Sequence, residues 1–527
     1  MRRFFTCFVF SVFTCGSALA QSEYQPYSYQ FYQKLDKAIY SPDTRIHSSM
    51  KPLFVDDSLI RPVYDSLMNY GTDTGSRHRS WVRRKVLDEH LFDVRQPDYT
   101  FFADYLPDLT LGRDFSGQKN AWLNTRGFQA GGTIGSKFYF YTSGFEDQAV
   151  FPNYLDNYVN QVGMIPGQAF DKSYGKSTKD WSYVTALMSY TPCKAVNLTL
   201  GEDKNFIGDG YRSVLLSDFA APYPFFKLTL KFGNVEYMAM WSYMEDQSAQ
   251  QFNSFSNNRR KWGAFHYVDW NVTNRLSLGF FNALIAEEAN DQDKLHGFDV
   301  NYINPVFFSS SLGPSGTVAD HTLFGFNGKY EVLAKTVVYG QFLVDQGPVG
   351  AGNNTNAWQL GFRGYDLFGA KALNYLFEYN TASPYTYSSP YPIVNYAQFD
   401  EPLAHPFGAN FREWLGILNY SIGRFDLQGQ LNYARYGVDD SNVNYGKNIQ
   451  SGNTQNVPGG NISTGQGVAT SLKYAEGTVA YVINPKTNLR VEIGGLLREE
   501  KNSLSDSKTA LFTVGLRSSF RDLYHDF

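Results

Sequence analysis

The residues best placed to do chemistry together lie in one stretch. Between Val196 and Phe232 the chain carries Asp203, Lys204, Asp209, Arg212 and Asp218, with Tyr211, Phe219, Tyr223, Phe225 and Phe226 beside them. Carboxylates and an arginine among aromatic faces suit the hydroxyl-rich ring of a sugar. The same residues would serve as well to tie an inward-folded link to the wall of its own fold, because charges taken out of water demand partners. Gly208-Asp209-Gly210 is not a phosphate loop, since no Lys-Ser/Thr follows and no helix is expected after it. A second group holds Asp345, Asp400, Glu401, His405 and Arg412. His405, between Ala404 and Pro406, reads as a structural loop residue. Asp400 and Glu401 are adjacent, whereas a glycosidase pair must oppose across a sugar. Asp291 and Asp293 lack EF-hand spacing and read as a solvated acidic turn. There is no HExxH or GxSxG, and the histidines are scattered. No catalytic residue, metal or cofactor is expected. The candidates for ligand binding or plug anchoring are Asp203, Lys204, Asp209, Tyr211, Arg212, Asp218, Tyr223, Asp345, Asp400, His405 and Arg412.

The elements that position these residues read as β-strands. Leu198 and Leu200 alternate with Asn197, Thr199 and Gly201. Phe226, Leu228, Leu230 and Phe232 alternate with Lys227, Thr229 and Lys231. Both patterns have the period of two that marks a strand. The link between them is roughly twenty residues long, and a loop of that length usually has a job.

The N-terminus bounds the compartment. Arg2 and Arg3 precede an apolar run from Phe4 to Phe13, and Ala18-Leu19-Ala20 forms a small-x-small cleavage site. Residues 1–20 therefore read as a signal peptide, with the mature chain beginning at Gln21. Cys193 is then the one remaining cysteine, which rules out an internal disulfide. Tyr 38, Phe 43 and Gly 46, with 18% charged residues and a net charge of -4, describe no nucleic-acid-binding surface. No apolar run long enough for a transmembrane helix follows the leader. An exported, aromatic-rich, Gly-rich chain with many short alternating runs fits an outer-membrane β-barrel. A secreted β-sandwich or propeller is the soluble alternative.

Residues 21–104 lack sustained alternation and read as a periplasmic-side or luminal extension. They include a short helix near Asp57 to Met68 and a basic cluster of Arg77, His78, Arg79, Arg83, Arg84 and Lys85. That cluster reads either as a contact for anionic headgroups or glycans, or as a solvated face pairing with Asp88, Glu89 and Asp93. Residues 105–527 read as the barrel. Trp122 to Ala130 and Thr133 to Tyr141 form a pair turned at Gly131-Gly132, and Asn153 to Asp180 an exposed loop. Phe298 to Phe308 reads as a strand, and Gly437 to Gly465 as a flexible outer loop. Gly233-Asn234 and Ile422-Gly423 mark hairpins. In Asn488 to Leu497, Leu489, Val491, Ile493 and Leu497 share the lipid face. In Ala510 to Phe520, Phe512, Val514, Leu516 and Phe520 do so.

The central block G-E-D-K-N-F-I-G-D-G-Y-R-S-V-L-L-S-D-F-A-A-P-Y-P-F-F-K resembles the signature of a Bacteroidota outer-membrane family typified by gliding-motility RemB proteins. More remotely it is similar to the Wzi capsule-assembly barrels. Y-A-Q-F-D-E-P-L-A-H-P-F-G-A-N, from Tyr396 to Asn410, resembles the same pattern, and the terminal Phe527 resembles a barrel insertion signal. The resemblance implies an all-β transmembrane barrel of about eighteen antiparallel strands with inward-folded loops. It further implies a non-enzymatic accessory role at the cell surface, in gliding, type IX secretion or surface-glycan assembly. A glycan-binding lectin and a channel for small polar solutes are the alternatives. The partners implied are outer-membrane lipid, a larger outer-membrane protein complex and surface polysaccharide.

Overall fold

A computed structural model describes residues 24–41, 45–55, 58–70, 79–173, 175–247, 258–289, 295, 297–304, 320–345, 355–440, 443–452, 462–521 and 523–527. The leader, Arg77, His78, Asp291 and Asp293 lie outside them.

Eighteen antiparallel strands close into a barrel. They are β1 Tyr99–Asp114, β2 Lys119–Ile134, β3 Phe138–Val150, β4 Lys179–Cys193, β5 Val196–Asp203 and β6 Tyr223–Phe232. β7 Val235–Asp246, β8 Arg259–Asn271, β9 Leu276–Glu287, β10 Asp320–Leu333, β11 Thr336–Asp345 and β12 Thr355–Gly364 follow. β13 Leu373–Ala382, β14 Phe411–Ile422, β15 Phe425–Val438, β16 Val468–Asn484, β17 Leu489–Lys501 and β18 Asp506–Ser518 complete the ring. β18 pairs with β1 from Leu511↔Asp114 to Arg517↔Asp108. Below that point a short strand, Phe92–Arg95, takes the free edge of β1 over Thr100–Ala103.

Alternation sets the faces, as period-two side chains must. Tyr105, Leu109 and Leu111 of β1 are exposed, while Asp104, Leu106 and Asp108 are buried. Val491, Ile493 and Leu497 face outward, and Arg490, Glu492 and Arg498 inward. Turns such as 194–195, 233–234 and 423–424 lie at one end, and the long links at the other. In outer-membrane barrels these are the periplasmic and extracellular ends.

The interior is filled with protein. The N-terminal segment packs Phe31, Leu35, Ile39, Val55 and Tyr64 against Phe206, Val337, Tyr365 and Phe520. Met50–Lys51 pairs antiparallel with Phe206–Ile207, so this segment and the central link share a small sheet inside the lumen. Links 204–222 and 383–410 and the C-terminal tail form the other packed mass, around Leu215, Phe219, Tyr396, Leu403, Phe407 and Phe527.

Several local expectations need correction. β1 begins at Tyr99 rather than 105. Gly131-Gly132 is not a turn: β2 runs through it, and a Cβ on Gly132 would lie 2.0 Å from the Thr100 carbonyl oxygen. These glycines let strands approach; they do not reverse the chain. The stretch 153–180 is not simply an exposed loop, for it opens with helix α3, Asn153–Val162, whose Tyr154, Leu155 and Val159 are buried. The described part of 298–308 holds a 3-10 turn, Val300–Ile303, and no strand. Within 437–465, Ile449 is buried in the luminal core. β18 ends at Ser518, so Phe520 turns inward onto Phe31 and Phe527 onto Tyr158 and Phe219. Neither aromatic reaches lipid. The short helix is α1, Arg61–Met68, and helix α2, Trp81–Leu87, carries Arg83, Arg84 and Lys85 of the basic cluster, with Arg79 just ahead of it. There Arg79 pairs with Asp88 at 2.5 Å and Lys85 with Glu89 at 2.9 Å.

Candidate functional site

The central link is held by its backbone as much as by its charges. Glu378, an inward residue of β13, accepts the Tyr211 N–H at 2.6 Å and the Arg212 N–H at 3.2 Å. Gly210 makes this approach possible, since a Cβ there would sit 2.1 Å from Glu378 Oε1. Arg212 is fully buried. Its guanidinium donates to Asp526 at 3.0 Å and to Glu413 of β14 at 3.4 Å, and its carbonyl accepts from Gln359 at 2.9 Å. Tyr211 donates through its hydroxyl to Asp526 at 2.9 Å.

Asp203, at the end of β5, accepts both Arg521 guanidinium nitrogens at 2.7 and 2.9 Å and the Tyr24 hydroxyl. Asp209 accepts from Tyr40, Ser48 and Asn327. Burial alone would raise the Asp209 pKa; Lys329 and Lys51 beside it hold it below the usual range. Burial raises Asp218 and lowers Lys204, whose ammonium donates to the Asp218 carbonyl at 2.8 Å. Tyr223 is buried at the start of β6.

The second group separates. Asp345 accepts from the Tyr387 N–H at 2.6 Å and meets His321 at 2.6 Å. His405 lies 2.7 Å from Glu413, so it joins the Arg212 network. Its Nδ1 accepts the Phe407 N–H at 3.2 Å, and burial lowers its pKa, which fits a neutral ring. Asp400 sits at the extracellular mouth. Arg412 is exposed on the outer wall opposite Arg435, away from every other candidate. Its place is set by alternation, since Phe411 and Glu413 point inward. Glu401, which the sequence sets beside Asp400 without marking it for binding, accepts the Gly167 and Ala221 N–H groups at 2.8 and 3.0 Å. Burial pushes its pKa up to about 8. Glu378 and Glu413 carry a visible signal: Glu378 lies between outward Phe377 and Tyr379, and Glu413 between outward Arg412 and Trp414.

Above this packing lies an extracellular cavity of about 700 Å³, within the range of roughly 300–1,000 Å³ typical of ligand sites. Tyr154, Tyr158, Phe407 and Tyr436 line it, with Gln450 and Arg498 among its polar groups. The Arg498 guanidinium stacks 4.6 Å from the Tyr154 ring, and Lys447 sits 4.5 Å from that of Tyr436. Both amide atoms of Gln450 and Arg498 Nη1 are buried without a hydrogen-bond partner among the described residues. A second cavity, of about 820 Å³, opens at the short-turn end beside Lys51, Lys227 and Lys231. Among the described residues no group of three His, Cys, Asp or Glu side chains could hold a metal ion.

Fold and lumen together define an outer-membrane β-barrel whose interior is occupied by its own links. No family model and no curated protein matches the chain. Among solved structures it is similar to Wzi, an outer-membrane protein of Escherichia coli involved in group 1 capsule assembly and described as a carbohydrate-binding β-barrel. That match has 14% identity and a TM-score of 0.56, covering 94% of this chain and 100% of that one. Pseudomonas aeruginosa OprD aligns at 11% identity and a TM-score of 0.41, over 79% of this chain and 94% of its own. A BenF-like porin from Pseudomonas fluorescens Pf-5 aligns at 9% identity and 0.43, over 80% and 99%. The Wzi likeness establishes a shared fold.

Proposed function

We propose that this chain is a closed, non-enzymatic outer-membrane barrel that binds a surface glycan in its extracellular cavity. The observation that carries the reading is the set of aromatic faces, Tyr154, Tyr158, Phe407 and Tyr436, beside the unpaired amide of Gln450. Aromatic rings cover the apolar faces of sugars while amides and charges read hydroxyls. Arg212 is taken up by Asp526 and Glu413, so the cavity and not the central link meets the ligand. The fold shared with a carbohydrate-binding barrel supports this assignment.

Binding of purified capsular and lipopolysaccharide glycans to the detergent-solubilised protein tests it. Saturable binding that weakens about tenfold, or 1.4 kcal/mol, in Tyr436→Ala or Gln450→Ala is expected. A flat titration across both fractions removes the reading. A large, stable conductance in planar bilayers would favour a channel for small polar solutes instead. The accessory role in gliding or type IX secretion draws on the likeness of the G-D-G-Y-R-S block. Mild-detergent purification from native membranes tests it, and co-purification of a larger translocon barrel is its expected sign.

A further inference from the structure

The outer wall carries a charged feature that neither the lumen nor the glycan reading uses. Arg412 near the start of β14 and Arg435 near the end of β15 are directly opposite in register and both exposed. Neither guanidinium has a hydrogen-bond or ion-pair partner among the described residues. Like charges facing across a strand pair are destabilising, so the arrangement calls for an anion between them.

The surroundings define its height and sign. One rung toward the membrane centre runs an aromatic row: Trp358 to Tyr379 at 4.9 Å, Tyr379 to Trp414 at 5.0 Å and Trp414 to Tyr433 at 5.7 Å. Such belts mark the level of the headgroups. The arginines therefore stand just outside it, at the end carrying the long links. Beside them Lys473 and Lys508 share Glu499 at 3.2 and 3.1 Å, and Lys501 meets Asp506 at 3.9 Å. Five cations thus face two carboxylates, and the pair left over is Arg412 with Arg435. Below this rim a groove of about 700 Å³ runs across the wall of β14–β18. Gly416, Leu431, Ala475, Leu497 and Ala510 follow one another across it in register.

We infer that this face binds an outer-leaflet lipid whose headgroup carries phosphate, with the phosphate bridging Arg412 and Arg435 and an acyl chain lying in the groove. Guanidinium pairs present forked donors matched to phosphate oxygens. An apolar groove directly beneath a cationic rim fits an amphiphile and not a free anion. The site lies on the wall, so it stands or falls independently of the cavity at the mouth.

The test uses the full barrel in detergent micelles, with diphosphoryl lipid A as probe, its dephosphorylated form as control, and inorganic pyrophosphate as competitor. The phosphorylated lipid should bind, and Arg412→Gln with Arg435→Gln should weaken it by about tenfold or more. The dephosphorylated form should bind poorly to either protein, and pyrophosphate at equal concentration should not displace the lipid. Heat-modifiable mobility on a gel certifies that the variant is folded. The single variant Arg435→Gln supplies a second readout: without lipid it should match or exceed the parent in thermal stability, because the repulsion is gone, and lipid should stabilise it less. Equal binding of both lipid forms, unchanged affinity in the folded double variant, or displacement by pyrophosphate alone would overturn the inference.

Discussion

Gly210 and Glu378 belong together: the link can give two N–H groups to one carboxylate only because position 210 has no side chain. Gly210→Ala should push the link off the wall and lower stability by roughly 1–3 kcal/mol, the range for overpacking a filled core. Thermal unfolding in detergent reads this directly. Arg212→Ala should cost more, about 3–5 kcal/mol, because it strands Asp526 and Glu413 as buried charges. Replacing Glu401 separates charge from hydrogen bonding. Burial already favours its protonated form up to about pH 8, so losing the charge alone should be mild. Glu401→Gln keeps one acceptor but turns its NH2 toward the other N–H, at about 1–3 kcal/mol, whereas Glu401→Ala leaves both the Gly167 and Ala221 N–H groups bare at about that cost each. At this scale the sequence named Asp203, Asp209, Arg212 and His405 but not their partners. The partners of Asp203, Asp209 and Arg212 sit more than a hundred residues away, on other strands, the N-terminal segment or the tail, where no local pattern encodes them; only His405 meets a near neighbour, Glu413. Arg412 stands outside for a simpler reason: a one-residue step along a strand exchanges lumen for lipid.

Strands proved the legible elements, because lipid on one side and a polar interior on the other impose alternation. The segments between them were not, since a link packed inside a barrel obeys the shape of its cavity and no periodicity. The tail after β18 shows this well. It reads as the end of a strand, yet Phe520 and Phe527 enter the lumen, and His525 meets Glu476 at 3.0 Å. Burial opposes charging the His525 imidazole, but Glu476 outweighs it and lifts the pKa from 6.5 to about 9. Because the folded value lies above the unfolded one, its contribution is complete below pH 6.5 and fades as pH climbs through about 9. Melting temperatures between pH 6 and 10 should fall over that window, and His525→Gln should flatten that part of the decline. A curve identical to the parent's would show that the tail does not use this charge.

For the molecule as a whole, occupancy of the lumen sets behaviour. The N-terminal segment, two links and the tail share one packed interior, so the intact barrel should conduct little in planar bilayers. Removing residues 24–70 should strip the short-turn side of that filling and raise single-channel conductance severalfold. A deletion that remained closed would assign the seal to links 204–222 and 383–410 alone. The same filling explains why an unbroken ring of alternating strands does not by itself imply a pore.

Asp203 takes hydrogen bonds from Tyr24, which lies ahead of the first ring strand, and from Arg521, which lies after the last. One carboxylate on β5 therefore ties segments from both ends of the chain to the inner wall. Such a tie couples docking of the N-terminal segment to docking of the tail, so filling of the interior should be cooperative, with no lasting species that holds one without the other. Kinetic traces of insertion for Asp203→Asn should accordingly split into two phases where the parent shows one.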